Sequence, residues 1–593
     1  MNLLQYPFNS AHILQKKRAL KKELAAREGL LEKKIAIVSG STVGDFKNIL
    51  ELFLLNAGIR PTFWEGEYGL FYEEVVFDDG SLAAFAPDVL YIHTSSRNLR
   101  HWPTPAHSAA DVQAGQDDEF ARFEAVWQAA KKLGCPIVQN NFEAPTFRNF
   151  GNMDAWDARG RTHYVNTLNA RFAAAAAATP GLYLHDLAYL AAQHGVRAFS
   201  DDMAWYGYKY ACAPAFIPDW CHSLAGLIKS FFGLSKKGVV ADLDNTLWGG
   251  VIGEEGPDGI EVGEESPAGM AYAAFQGYLK MLAQRGILLA AASKNDAAIA
   301  EEGLARTDNL LHRDDFLAFE VHWEPKSQSV ARIAQSLNIG ADSLVFVDDN
   351  PAEREEVHRA LPGVETPPVA APEDSIPLLD GGGWFEVSAL SADDLARGAM
   401  YRENARRQAL EAIATDYTGY LQSLQMQADI GPVTPGTLER VTQLVNKTNQ
   451  FNPTTRRYTA AEVEALMHDP ACITLAGRLA DKFGDNGLTS VIFGRITGAV
   501  LDIELWVMSC RVLKRQFEQA MFDTLVAEAK KRGVATINGT WRPTAKNLMV
   551  RDLYATIGFS LTAETPEARH FTYPIPAGYT PQNTVIEVNT PHG

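Results

Sequence analysis

Asp242 and Asp244 stand two residues apart in Val239-Val240-Ala241-Asp242-Leu243-Asp244-Asn245-Thr246, directly after an apolar run. Such a run ending in acid predicts a buried strand that delivers Asp242 at its C-terminal end, the edge where open parallel sheets bind ligands. Two further apolar runs end the same way, 287–292 at Ser293-Lys294-Asn295 and 344–347 at Asp348-Asp349-Asn350, and Lys326 stands just before the helix-compatible segment between them. This set suits cleavage of a phosphate monoester or an acyl phosphate. Asp242 attacks phosphorus, and water later removes the phosphoryl group. Asp244 works as general acid on the leaving oxygen, then as base for that water. Ser293 can donate to the transferring group, and Lys326 can hold the negative charge on nucleophile and phosphate. Four carboxylates, Asp242, Asp244, Asp348 and Asp349, would repel one another without a cation, and Mg²⁺ suits them as ligands. Thr246 and Asn295 complete the expected cofactor-binding residues. Asp-x-Asp-x-Thr alone is as readily an acidic turn; the ordered polar groups at three strand ends argue for a site.

The elements that must position these groups alternate along the chain. A charged, solvated helix over about 16–32 leads into the strand-like KKIAIVSG, and NILELFLLNAG, PDVLYIHTSS, a helix near 118–133 and CPIVQNNF continue the pattern of a parallel sheet. The Ala-rich RFAAAAAATPG reads as helix with a Pro-Gly stop. A second alternating unit starts at KKGVVADLDNT and leaves through the Pro-rich ETPPVAAPEDSIP and a Gly-Gly-Gly. A helical connector (about 391–425) then precedes CITLAGRLA, LTSVIFGRI, AVLDIELWVMS, the helix QFEQAMFDTLVAEAKKRG and VATINGTW, an acyltransferase-like α+β order. The expected fold class is α/β in three domains, at 1–235, 236–380 and 385–593.

Length supports that division, because 593 residues exceed what one hydrophobic core holds. No apolar run approaches the roughly 18 residues of a membrane span, and the N-terminal basic cluster follows apolar residues with no cleavage pattern behind it. Five scattered cysteines without a Cys-x-x-Cys pair point to a reducing compartment, the cytoplasm, with no disulfide framework or zinc site. A net charge of -18 disfavours nucleic acid as a partner.

VVADLDNTLWGGVIGEEG, AAASKND, VHWEPKSQSV and LVFVDDNPAEREEV resemble the FkbH family, the IIIC branch of the haloacid dehalogenase (HAD) superfamily. The resemblance covers the whole middle domain and implies a HAD-type Rossmannoid sheet, with the Gly-rich stretch after Trp248 as a short flap over the site. LVNKTNQFNPTTRRY, FGDNGLTSVI, WVMSCRVLKRQFEQAM and NLMVRDLYATIGF are similar to that family's C-terminal GNAT-like acyltransferase domain. The first domain resembles a flavodoxin-type SGNH-hydrolase fold with a degenerate site. Its Gly-Asp-Ser block reads Ser39-Gly40-Ser41-Thr42, Asp201-Asp202-Met203-Ala204-Trp205-Tyr206 lacks the following histidine, and His222 stands alone. Ser41 with Asn140 or Asn141 would be its remaining esterase-like groups, and a non-catalytic scaffold is the favoured reading.

What this resemblance implies is dephosphorylation of 1,3-bisphosphoglycerate, a phosphorylated three-carbon metabolite, with transfer of its glyceryl group to the phosphopantetheine thiol of an acyl carrier protein, in polyketide or surface-glycan biosynthesis. A thioester needs a cysteine, and Cys510 is the candidate. It follows strand-like WVMS and precedes Arg511, Lys514 and Arg515, cations suited to lower its pKa or hold an acyl phosphate; a buried structural cysteine is the alternative. Cys472 reads as core, and His322 as a packed neighbour of the phosphate lysine. Arg456, Arg457, Lys530, Lys531 and Arg532 join those cations as a docking face for an acidic carrier, or simply as a solvated face. Two rival functions stand beside transfer: a small-molecule phosphatase with binding domains, and an assembly or regulatory protein whose HAD site senses phosphate.

Overall fold

The computed structural model describes residues 3–412, 416–448, 450–544 and 546–589, without the side chains at 408, 409, 412 and 510. Two compact units emerge, Met1–Leu234 and Ser235–Gly593.

The first is built on Leu31–Ser39 (β1), whose last five residues are all buried, the burial of a strand covered on both faces. With Ile59–Glu65 (β2), Val89–His93 (β3), Ile137–Asn140 (β4) and Leu182–His185 (β5) it forms a parallel sheet in the order β2-β1-β3-β4-β5. Successive side chains alternate between layers. Ile35 and Ile37 join the core of helices Gly44–Asn56 and Ile217–Phe231, while Ala36 and Val38 join that of Ala109–Ala130 and Arg161–Ala178. Two sequence expectations shift here. The first helix runs over Ser10–Ala25 and buries Ile13, Leu20 and Leu24, so one face packs inward. The helix expected near 118–133 starts at Ala109 because Ser108 and Asp111 cap it reciprocally.

The second unit holds two sheets. Gly238–Ala241 (β6), Leu288–Ser293 (β7), Ala318–Val321 (β8) and Leu344–Val347 (β9) form a parallel sheet in the order β8-β7-β6-β9. β6 is central, so Asp242 leaves it between the ends of β7 and β9. A Cβ on Gly238 would lie 2.9 Å from the Leu288 carbonyl, which explains glycine where the strand begins. The core of this sheet extends to Trp384 and Phe385.

The remaining eight strands, Met426–Pro432 (β10), Cys472–Asp481 (β11), Gly484–Thr497 (β12), Val500–Met508 (β13), Thr536–Trp541 (β14), Ser560–Glu564 (β15), Arg569–Pro574 (β16) and Ile586–Asn589 (β17), make a mixed sheet in the order β15-β16-β14-β13-β12-β11-β10-β17. Helix Phe517–Lys531 buries Phe517, Ala520, Met521 and Leu525 against it. Among the described residues no helix is long and apolar enough to cross a membrane.

Candidate active site

Asp242 begins where β6 stops. Its backbone N–H donates to the Val347 carbonyl at 2.9 Å, extending the pairing with β9, and its own Oδ1 accepts from the Leu243 N–H at 2.8 Å. Asn245 follows at φ 52, a left-handed conformation that Asn tolerates, and its Oδ1 accepts from Gly250 N at 3.0 Å. That turn folds Trp248 back beside Asp244.

Asp244 is held by donors on both oxygens. Trp248 Nε1 at 2.9 Å and Ile252 N at 3.2 Å donate to Oδ1, and Asn295 Nδ2 donates to Oδ2 at 2.8 Å. Burial raises its pKa against those hydrogen bonds, and Asp242 adds to the rise. A fixed carboxyl that keeps its proton to higher pH than usual is suited to general acid work. Asn295 therefore acts here on Asp244, a positioning role that its sequence position beside Ser293 did not reveal.

Lys326 lies at the start of helix Lys326–Ser336, almost fully buried. Its ammonium donates to the Ala292 carbonyl at 2.7 Å and lies 2.6 Å from Asp242 Oδ1 and 3.2 Å from Asp348 Oδ2. Burial alone would lower its pKa; Asp242 and Asp348 outweigh burial and hold it above its ordinary value. Burial, reinforced by Asp242, pushes Asp348 up to about 7 and also raises Asp349. Asp242, Asp348 and Asp349 each offer an oxygen within 4.8 Å of the others. The Asp244 side chain is not in that trio, so of the four carboxylates expected to bind metal, three come together and the fourth is engaged by Trp248 and Asn295. Thr246 Oγ1 accepts from Asp349 N at 3.2 Å and fixes the β9 turn against the β6 turn. Ser293 is buried at the end of β7, and its carbonyl accepts from His322 N at 3.1 Å. His322 itself meets Glu320, Ser329 and Arg332.

Outside this centre the other candidates are placed as follows. Cys510 opens the short turn Cys510–Val512, and its side chain lies outside the described residues. Arg515 turns inward, 3.3 Å from Asp481 Oδ2 and 2.7 Å from Asn404 Oδ1, and Arg511 Nε donates to Ser509 Oγ. Arg456 pairs with Glu504, Arg457 donates to the Val445 and Thr448 carbonyls, Lys531 pairs with Glu528, and Lys530 and Arg532 donate to carbonyls. The cations singled out in the sequence thus serve largely internal contacts.

In the first unit Ser41 Oγ lies 3.0 Å from His93 Nδ1, both fully buried, with His93 stacked on Trp220. Sequence reading missed His93, 52 residues from Ser41, because only the β1–β3 pairing joins them. Asn140 bonds Thr94, and Asn141 bonds Asp186 and Ala188. His222 packs among Tyr6, Phe8 and Phe53, and Asp201 caps helix Asp202–Tyr208. No third group among these completes a serine hydrolase site.

No protein-family model matches the chain, and no curated protein matches it. Among solved structures, the N-terminal part of the protein BF1531 from Bacteroides fragilis, described as containing a phosphatase domain complexed with Mg, is similar over 63% of this chain and 99% of that one, at 26% identity and a TM-score of 0.59. The ribosomal-protein-S18-alanine N-acetyltransferase from Escherichia coli is similar over 27% of this chain and 99% of its own, at 14% identity and a TM-score of 0.21. An aminoglycoside 6'-N-acetyltransferase complexed with coenzyme A covers 26% and 99%, at 16% identity and a TM-score of 0.21.

Proposed function

We propose that this chain is a Mg²⁺-dependent phosphatase that prepares a glyceryl group for an acyl carrier protein. The observation that carries the phosphatase half is the placement of Lys326 between Asp242 and Asp348 while Asp244 is held aside by Trp248, Ile252 and Asn295. The donor set fits Mg²⁺, because three converging carboxylates, two of them raised in pKa by burial and Asp242, form the crowded negative cluster that a divalent cation relieves. Asp242, Asp348 and Asp349 would hold it; the similar phosphatase domain of the Bacteroides fragilis protein is described as complexed with Mg, and when bound the ion would draw charge from the phosphoryl oxygens.

The chain's own residues supply the rest. An Asp242 oxygen forms a bond to phosphorus as the bond to the leaving oxygen breaks, and Asp244 gives that oxygen its proton. Water then loses a proton to Asp244 and attacks the same phosphorus, which releases phosphate and restores Asp242. Lys326 offsets the negative charge of Asp242, and Ser293 would donate to the phosphoryl group.

The chemistry of 1,3-bisphosphoglycerate divides the work. Hydrolysis of its acyl phosphate would leave a free carboxylate with no activation for transfer. Its phosphate ester, in contrast, has an alkoxide leaving group that needs an acid such as Asp244. The Asp242 centre is therefore assigned to the ester, and a thiolate, with Cys510 as candidate, attacks the acyl carbon and expels the other phosphate. The glyceryl thioester then passes to the carrier's phosphopantetheine thiol by thiol exchange. The sequence resemblance to FkbH proteins supports this half. The test is to incubate the protein with Mg²⁺, a 1,3-bisphosphoglycerate-generating system and phosphopantetheinylated carrier, then weigh the carrier. A glyceryl adduct is expected. Phosphate release with an unchanged mass on every carrier tried would remove the transfer step and leave a phosphatase.

A further inference from the structure

Arg440, Gln443 and Lys447 stand three and four residues apart on helix Leu438–Lys447, the spacing that puts side chains on one face. That face meets the short helix Ala392–Leu395. Arg440 Nε lies 2.8 Å from Asp393 Oδ2, and Lys447 Nζ lies 3.5 Å from Asp394 Oδ2, which Arg397 also pairs through its other oxygen. The start of β12 closes against the same acids, since a Cβ on Gly487 would lie 2.7 Å from Asp393 Oδ2. β12 in turn holds the turn of Cys510: Ser509 N donates to the Thr489 carbonyl at 2.7 Å, and Arg511 Nε donates to Ser509 Oγ at 3.2 Å. Arg511 Nη1 meets the Met400 sulfur, a weak acceptor for a guanidinium.

Positive charge is in excess here. Four cations, Arg397, Arg440, Lys447 and Arg511, gather about Asp393 and Asp394, and the nearby Asp485 is taken by Arg478. Burial lowers the pKa of Arg440 and of Lys447. Neighbouring cations lower them further against the pull of the two acids, Arg511 and Arg397 acting on Arg440, and Arg397 and Arg440 on Lys447. Donors are in excess as well. Gln443 Nε2, Asn486 Nδ2 and Thr489 Oγ1 are buried without a partner, and a buried donor left unmade is costly. Uncompensated cations beside unused donors suit an anion with several acceptor oxygens, as phosphate is. Lys447 keeps 33% of its side chain exposed, so solvent reaches the group.

We propose that Arg440, Lys447, Arg511 and Gln443 form a phosphate-binding site beside the Cys510 turn, for the phosphate of a small phosphorylated metabolite. That this metabolite is the acyl phosphate spent at Cys510 rests on the transfer reading above; the anion site itself rests on the charges and donors just described. In that reading the thiolate sulfur bonds to the acyl carbon, the carbon–oxygen bond to phosphate breaks, and its electron pair departs on the phosphate that these cations hold.

The Asp242 centre is itself a phosphate site, so the test uses the full-length Lys326→Met chain in EDTA, which disables that centre. Inorganic phosphate, titrated by calorimetry at constant ionic strength, should bind one to one. It should slow hydrogen exchange, read by mass spectrometry, across 438–447 and 485–490. Lys447→Gln in this background should weaken binding about tenfold, the loss of one charge-assisted contact. Gln443→Leu removes an unused donor at the cost of one long contact with Arg440, 3.4 Å. It should weaken binding about threefold without lowering the urea midpoint, a pattern that a purely structural network does not give. No heat with unchanged exchange would overturn the site, as would binding that survives Lys447→Gln or a response equalled by chloride, which is screening alone. Carrier loading is scored separately. Phosphate that binds here in a chain that loads no carrier upholds the site and rejects the transfer, whereas wild-type loading by the single Lys447→Gln variant overturns the acyl phosphate as its ligand.

Discussion

Lys326 Nζ lies 2.6 Å from Asp242 Oδ1, almost wholly inside the protein, and this buried pair sets the electrostatics of the whole centre. The ammonium also reaches Asp348 at 3.2 Å, so one cation serves two carboxylates that would otherwise face each other unscreened.

Removing that cation separates catalysis from metal affinity. Lys326→Met should lower phosphate release by about 10²- to 10³-fold, the usual effect of losing one preorganised charge at a reacting centre. Mg²⁺ affinity should hold or rise, since the trio becomes more negative, and Mg²⁺ should raise the thermal midpoint of the variant by more than that of the wild type. A parallel loss of Mg²⁺ affinity in a titration would show that Lys326 shapes the trio and does not merely neutralise it.

Asp244→Asn keeps the hydrogen-bonding shape beside Trp248 and removes the proton. Substrates with alkoxide leaving groups should then fail at the first step. Aryl or acyl phosphates, whose leaving groups need no acid, should still transfer one phosphoryl equivalent to Asp242 and stall, because water has lost its base. Rapid-quench measurement of the released aryl group should show a burst of about one per chain.

Much of this centre was legible because strands covered on both faces read as unbroken apolar runs, and the runs of β6 and β9 stop abruptly at the acids that converge: Ala241 at Asp242, Val347 at Asp348. The engagements of Asn295 with Asp244 and of Thr246 with the Asp349 amide were not legible, since strand order and turn geometry create them. For the same reason His93 was invisible as the partner of Ser41. β15 left no sequence signal either, as all five of its residues are exposed and carry no burial pattern. The charge of Arg515 was plain, but the acid it meets, Asp481, lies on another strand.

Asp481 tests that last point. Its carboxylate, fully buried, meets Arg407 Nε at 2.6 Å and Arg515 Nη1 at 3.3 Å. Asp481→Asn leaves buried Arg515 without its carboxylate and Arg407 with only the more distant Glu403 at 3.6 Å, and unfolding by urea should show a loss of about 3–5 kcal/mol, the typical cost of orphaning a buried charge. A loss below about 1 kcal/mol would mean that the arginines find water or another acid.

Buried histidines make the first unit acid-sensitive. Burial lowers His93 from its ordinary 6.5 to about 3 and His185 to about 4. The unfolded chain therefore takes up protons below pH 6.5 that the folded one refuses, so stability is full above that pH and falls as pH drops from about 6.5 towards 4. At pH 5 each group should cost roughly 2 kcal/mol relative to pH 7.5. Denaturant midpoints followed by hydrogen exchange in 1–234 should show this slope, and His93→Gln should remove about half of it whatever it does to the stability at pH 7.5.

Cys510 bears on the order of events. If thiolate attack on the acyl carbon and ester cleavage at Asp242 are independent, each variant should trap a different carrier mass. Asp242→Asn should still load the carrier, but with a phosphoglyceryl group, because the acyl phosphate is spent by the thiol while the ester survives. Cys510→Ala should release phosphate from the ester at near wild-type rate and leave the carrier unloaded. Mass spectrometry of the carrier with both variants decides between them. Equal loading by Cys510→Ala would pass the acyl group directly from the acyl phosphate to the carrier thiol, and a bare carrier with Asp242→Asn would make ester cleavage a condition of transfer.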